Sequence, residues 1–260
     1  MATLHQAVQT ANDNGALALM IYVIPNFPDP DTYHVILDIL HEHPSVTIIE
    51  TTFPVTSKFS DFANQIIRTA HQTASQYQNA LTVLETLQAF KKPSVAVVYQ
   101  EVVDALGFEI LLQKMYGKID SVLLEWEVED VKPYVEQSKR YDIEFIQCVY
   151  PEMTEADMEK YLGSAVKEPL VYLTSASMTG AKLFSHSELN ECIRRSKAYR
   201  SDIKIMAGFG VRTPDDIRKL KQLEKLDGVI IGTAFLEVMR QGVDQVTIFL
   251  DSLTPALLLD

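Results

Sequence analysis

Eight short apolar runs recur along the chain, each followed by a segment whose apolar residues fall at helical spacing or that opens on a helix-start signal. The runs cover residues 16–25, 45–49, 94–99, 121–124, 143–150, 169–174, 203–207 and 228–231. They are rich in Val and Ile and mostly lack apolar/polar alternation. That is the mark of strands buried on both faces, as in a parallel sheet covered by helices. A strand–helix alternation with no linker or composition break means consecutive βαβ units. Eight such units in 260 residues fit a closed barrel, for which about 250 residues is typical, rather than an open doubly wound sheet. The expected fold class is therefore α/β: one (β/α)8 TIM barrel spanning residues 1–260, with an extra N-terminal helix over 3–13.

The helix signals between the runs are specific. Asp29-Pro30, Thr154 with Asp157, the capping box of Ser185 and Glu188, and Thr213-Pro214 each place a side-chain acceptor before a helix start. Single helices are expected over 102–116 and 128–141, two helices between 61 and 90, and a last one over 243–253. The polar stretch 71–80 reads as a surface connection between helices.

Charge and composition exclude several classes. The formal net charge of −12 argues against nucleic acid or an anionic membrane as partner. No apolar run approaches the roughly 18 residues of a membrane span. The first residues lack the basic and apolar regions of a signal peptide, so a cytoplasmic protein is expected. Cys148 and Cys192 have no metal or redox spacing and read as free thiols. His41 and His43 stand two apart on a helix and do not share a face, so no metal site is expected. There is no dinucleotide or P-loop glycine motif, and no lysine clearly ends a strand, which argues against a Schiff-base aldolase.

The last two runs carry the clearest site signal. Gly208 and Gly210 follow the seventh, Gly232 and Thr233 the eighth, and a helix start follows each. Glycine lets backbone N–H groups approach a ligand, and helix N-termini favour anions. Barrels commonly hold a phosphate between the loops after their last two strands. The plainer reading is a pair of ordinary strand-to-helix turns, where glycine is also common. Glu50 ends the second run, and Asp61 lies eleven residues on in the following loop. A carboxylate in the barrel mouth would have its pKa raised toward neutrality by the low dielectric, which suits general acid/base work. Glu50 could instead be structural and paired with a lysine, and Asp61 a helix cap. Tyr99, at the end of the third run, either lines the pocket or packs.

These residues carry a resemblance to a known family. The run Glu50-Thr-Thr-Phe-Pro54, with Asp61 eleven residues after the glutamate, resembles the tryptophan synthase α subunit family. So do 27–32, 93–99, 120–123, the sixth strand with Met178-Thr179-Gly180-Ala181, and the glycine turns at 208–211 and 232–234. The resemblance covers nearly the whole chain. It implies a carbon–carbon lyase of tryptophan biosynthesis that cleaves indole-3-glycerol phosphate to indole and glyceraldehyde 3-phosphate. It further implies that Thr179, Gly180, Gly210, Gly232 and Thr233 hold the phosphate end. Val97, Tyr99, Ile146 and Phe209 would face the indole. Glu50 would move the proton, and Asp61 would accept the indole N–H. No cofactor is implied for this chain; pyridoxal phosphate would belong to a β-like subunit, the macromolecular partner the family suggests.

The chain departs from the family pattern at several places. Thr56-Ser57-Lys58 replaces a Ser-Asp-Pro run in the loop that helps contact the β subunit. Val171 stands where the sixth strand usually has a site-facing tyrosine. Ser175 and Ser177 replace an Arg and a Gly of the lid loop. Glu125-Trp126-Glu127 replaces a small residue and Asp-Val-Pro. Two rivals follow: a catalytically weakened regulatory protein for a β-like partner, and a lyase for another phosphate-bearing substrate.

Overall fold

A computed structural model describes residues 3–59, 63–126, 128–163, 169–174 and 184–259. Nine strand segments form one parallel sheet: β1 (Ala18–Tyr22), β2 (Ile48–Thr52), β3 (Ser94–Val98), β4 (Ser121–Leu124), β5 (Glu144–Phe145), β6 (Gln147–Val149), β7 (Leu170–Leu173), β8 (Lys204–Ala207) and β9 (Gly228–Ile231). Their order is β5-β4-β3-β2-β1-β9-β8-β7-β6. The two end segments are one barrel strand interrupted at Ile146. β5 pairs with β4, and β6 with β7. The chain itself closes the ring, so the eight expected runs become the eight staves of a (β/α)8 barrel.

The staves form where Val and Ile cluster, because β-branched side chains pack well on a pleated surface buried on both sides. Seven helices or helical segments start on side-chain caps, at Thr3, Asp29, Asn64, Asn79, Thr154, Ser185 and Thr213. No helix among the described residues is long and apolar enough to cross a membrane.

Four local expectations need correction. The second strand runs Ile48–Thr52 rather than over 45–49. Lys92 Nζ binds the carbonyls of His43 and Val46, holding that stretch as a turn. The β-branched Thr51 and Thr52 then continue the ladder beside Ala96 and Val97. Glu50 is therefore mid-strand, not at the strand end. The expected helix over 102–116 is two, Gln100–Leu106 and Phe108–Met115, parted by Gly107 at φ +79°, a backbone conformation that costs glycine little. The 71–80 patch is not all surface: His71 and Ala74 are buried inside the helix Gln65–Ser75. The last helix runs Val243–Leu257 and contains Pro255, its end held by buried Leu253, Ala256 and Leu257.

The N-terminal helix Leu4–Asp13 buries Leu4 and Val8. Asn12 Nδ2 donates to the carbonyl of Asp227, just ahead of β9, at 2.8 Å, and Lys204 of β8 reaches both Asn12 and Asp227. This helix seals the amino-terminal end of the barrel, so the opening for a ligand lies at the carboxyl end of the strands.

Candidate active site

At that end lies a cavity of about 340 Å³ whose wall includes Tyr22, Glu50, Val97, Tyr99, Leu123 and Tyr172. Gly208, Gly210, Arg212, Gly232 and Thr233, from the ends of β8 and β9, complete it together with Asn64, Ile230 and Glu125.

Glu50 reaches the cavity because β2 alternates. Its neighbours in register are Tyr22 on β1 and Val95 on β3. It is 5 % exposed, and Tyr172 on β7 donates a hydrogen bond to its Oε1 at 2.7 Å. Burial pushes the Glu50 carboxyl up to about 7; the Tyr172 hydroxyl pulls it down and the nearby Glu125 pushes it further up. A carboxyl balanced at neutral pH can both give and take a proton. The hydroxyls of Tyr22, Tyr99 and Tyr172 are all pushed well above the usual phenol range, chiefly by burial, so they remain protonated donors.

A second layer backs this wall. His71 Nδ1 accepts from the Val55 N–H at 3.1 Å, and its Nε2 lies 3.2 Å from the Tyr22 hydroxyl. Burial lowers the His71 pKa to about 3, so the ring is neutral. With Nδ1 accepting, the proton sits on Nε2 and is donated to Tyr22, which leaves the Tyr22 proton for Tyr99, its other partner. The His71 ring also stands edge-on to Tyr99, centroids 4.9 Å apart.

The glycine turns have steric reasons. Gly210 has φ +69°, and a Cβ at Gly208 would come within 3.3 Å of Ile230 Cδ1. Asn64 ties this corner to the segment after β2. Its Oδ1 caps Ile66 and Ile67, and its Nδ2 donates to Thr233 Oγ1 at 2.9 Å. Thr233 Oγ1 thus accepts from Asn64 and keeps its own proton for a ligand. The loop carrying 56–58 is pinned to the helix Gln100–Leu106: Glu101 accepts from the Thr56 and Ser57 N–H groups at 3.2 and 2.6 Å, and Lys58 pairs with Asp104.

Of the residues expected from the sequence, Glu50, Val97, Tyr99, Gly210, Gly232 and Thr233 share the cavity. Asp61, Thr179 and Gly180 lie outside the described residues, as do Ser175, Ser177 and Glu127. Ile146 and Phe209 do not line this cavity. Ile146, at the interruption between β5 and β6, borders a separate pocket beside Trp126 and Phe145, and Phe209 packs against the core. Val171 is buried and does not line the cavity, whereas the next residue, Tyr172, lines it and bonds Glu50. In a strand, neighbouring side chains point to opposite faces, so one residue of register supplies the tyrosine that position 171 lacks. Tyr22, Tyr172, Asn64 and Arg212 were not singled out as site residues from the sequence. The alternation that puts Met20 and Tyr22 on one face of β1 was a signal for the first; nothing in sequence spacing marked the last three.

The fold and this corner place the chain among the (β/α)8 barrels, which gather their sites at the carboxyl ends of the strands. Residues 8–254 match the family described as "Tryptophan synthase alpha chain". The chain is similar to the tryptophan synthase alpha chain of Caldanaerobacter subterraneus subsp. tengcongensis, with 26% identity over 238 residues, 89% of this chain and 88% of the relative. It is similar to that of Caldicellulosiruptor bescii at 22% identity, covering 99% of both chains. Among solved structures, tryptophan synthase subunit alpha from Legionella pneumophila superposes with a TM-score of 0.81 at 18% identity, over 99% of this chain and 98% of that one. A tryptophan synthase chain from M. tuberculosis gives 0.80 at 18% identity over 100% of both. The chain belongs to the tryptophan synthase alpha chain family. Membership makes it a lyase acting on indole-3-glycerol phosphate.

Proposed function

We propose that the cavity binds indole-3-glycerol phosphate with its ring against Val97, Leu123 and Ile230 and its phosphate at Gly210, Gly232 and Thr233, and that Glu50 is the proton shuttle of a retro-aldol cleavage. The observation that carries this is the placement of a buried carboxyl, poised at about 7, in the same cavity as the glycine turns of β8 and β9.

The steps balance in protons and electrons. Protonated Glu50 gives its proton to indole C3, which becomes tetrahedral and leaves a positive charge shared with the ring nitrogen. Asp61 is proposed to accept the indole N–H hydrogen bond and stabilise that charge. The Glu50 carboxylate then takes the proton from the hydroxyl on the carbon attached to C3. That carbon becomes the aldehyde of glyceraldehyde 3-phosphate. The electron pair of the breaking C–C bond returns to the ring and restores neutral indole. Glu50 ends protonated, ready for the next turnover. Tyr172 holds the carboxyl in place through both halves, while Tyr22 and Tyr99, fixed by His71, offer donors on the same wall. Thr179 and Gly180 are proposed to complete the phosphate contacts by analogy with the family pattern.

Neither rival is favoured: the curated relatives are tryptophan synthase alpha chains along their length, and the cavity keeps a neutral-range acid/base group. As the macromolecular partner we propose a tryptophan synthase β-like subunit, tested by sedimentation of the mixed chains. The direct test of the chemistry is to incubate the pure chain with indole-3-glycerol phosphate and measure free indole and glyceraldehyde 3-phosphate. Glu50→Gln is expected to lower turnover by about a thousandfold or more, as loss of a proton-transfer group can, while binding of glycerol 3-phosphate stays within a few-fold. A mutant that kept its rate would exclude the shuttle.

A further inference from the structure

Only one of the described residues lining the cavity carries a positive charge. Glu50 and Glu125 are both in the wall, and the cation is Arg212. The whole chain has a net charge of −12. A phosphate dianion entering this cavity meets repulsion from the net negative chain, and from Glu50 too wherever that carboxyl is ionised, and backbone amides supply only partial charges against it.

Arg212 is placed to meet that need. It follows Gly210, whose φ of +69° turns the chain at the end of β8, and buried Val211, which anchors the turn. The acids beside Arg212 are committed elsewhere. Asp215 pairs with Arg218. Asp216 pairs with Lys219 and caps the next helix, accepting from the Arg212 and Thr213 N–H groups at 3.1 and 3.0 Å. Among the described residues the Arg212 guanidinium itself has no carboxylate partner, although each of the other two cations between 212 and 219 has one. Arg212 is exposed and lines the cavity, and an arginine there with no carboxylate partner among the described residues has a fork that can grip phosphate oxygens two at a time.

We propose that Arg212 is a phosphate-binding residue of this chain, closing over the phosphate held at Gly210, Gly232 and Thr233 and making the site selective for a dianion. The inference rests on the phosphate placement proposed above and adds a side chain to it. Its job is binding, not chemistry, so its loss should weaken substrate and phosphate alike and leave the reacting end untouched.

The experiment compares the full chain with Arg212→Ala and Arg212→Lys. Glycerol 3-phosphate and inorganic phosphate binding are measured by calorimetry, and KM and kcat are measured separately on indole-3-glycerol phosphate. Arg212→Ala is expected to weaken both phosphate ligands and raise KM by about tenfold, the scale of a charge-assisted hydrogen bond, with kcat within about twofold. Arg212→Lys should recover part of the loss, since it keeps the charge but not the fork. Rising salt should cost the wild type more phosphate affinity than Arg212→Ala, because only the wild type has the Arg212 attraction to screen while both share the repulsive field of the chain. Unchanged phosphate affinity in Arg212→Ala, or an equal loss of affinity for indole alone, would overturn the proposal. Because calorimetry reads binding without turnover, a chain that binds phosphate through Arg212 but releases no indole would refute the lyase reading and still support this one.

Discussion

At the scale of single residues, the chemistry turns on the ionisation of Glu50. Burial raises its pKa from the ordinary 4.5 to about 7, with Tyr172 and Glu125 acting in opposite directions. The first step needs the protonated form, so kcat/KM is expected to fall as pH rises through about 7. Tyr172→Phe removes a hydrogen bond that favours the charged carboxylate, so the alkaline limb should move to higher pH. Glu125→Gln removes a repelling charge, so the same limb should move to lower pH. A pH–rate profile of the two variants checks both signs at once, and a shift of both in one direction would contradict this balance. Glu50 stood out in the sequence as a carboxylate in a β-branched apolar run, a pattern that also allowed a structural, lysine-paired role; its partner is instead Tyr172. Tyr172 did not stand out, because the family resemblance put Val171 at the tyrosine's place and only the strand's orientation decides which of two adjacent side chains faces inward.

At the scale of elements, the site depends on how closely β9 is held. A Cβ at Gly228 would come 2.7 Å from the Ala18 carbonyl on β1 and 2.7 Å from Met206 Cε on β8. The methionine can move, but the backbone oxygen cannot. Gly228→Ala should therefore cost about 1–3 kcal/mol, as overpacking does, seen as a lowered melting temperature and a displaced Gly232–Thr233 turn that weakens phosphate binding. Asn64 couples two elements in the other direction. Asn64→Ser keeps an N-cap acceptor and loses the donor to Thr233. It is expected to leave the fold intact and raise KM a few-fold, read by thermal melting beside steady-state kinetics. The strands were legible from β-branched runs, and the helix starts at Asp29, Thr154, Ser185 and Thr213 from capping residues. The break at Gly107 and the shifted second strand were not: the first is a local positive φ at a glycine inside an otherwise helical pattern, and the second depends on a lysine clamp from position 92, distant in sequence.

At the scale of the molecule, two buried charges set stability. Asp227 accepts from Lys197 at 2.6 Å, from Lys204 at 3.2 Å and from the Ile205 N–H at 2.8 Å, joining the helix His186–Tyr199 to β8, while its carbonyl accepts from Asn12 of the N-terminal helix. Asp227→Ala leaves two largely buried ammonium groups unbalanced and should cost about 3 kcal/mol or more, measured by denaturant unfolding. Glu50 works the other way. Its folded pKa lies above its unfolded value, so no penalty exists below about pH 4.5. The penalty grows between 4.5 and 7 as only the unfolded chain ionises. Glu50→Gln should then be more stable than wild type by about 3 kcal/mol at pH 8 and nearly equal to it near pH 4. A mutant that was stabilised equally at both pH values would show that desolvation of the charge is not what Glu50 costs the fold.

The sequence by itself determined the barrel, its count of staves, the N-terminal helix, the acid on β2 and the glycine turns after β8 and β9. Those features depend on local periodicity, capping chemistry and residue type, all of which act over a few neighbouring positions. Only the tertiary structure decided that Tyr172 and not Val171 meets Glu50, that His71 is a buried neutral ring fixing Tyr22, that Ile146 and Phe209 stand off the cavity, and that Arg212 is the one cation among the described residues lining it. Those outcomes depend on which faces of separate strands converge, a matter of register and closure around the ring that no stretch of chain carries on its own.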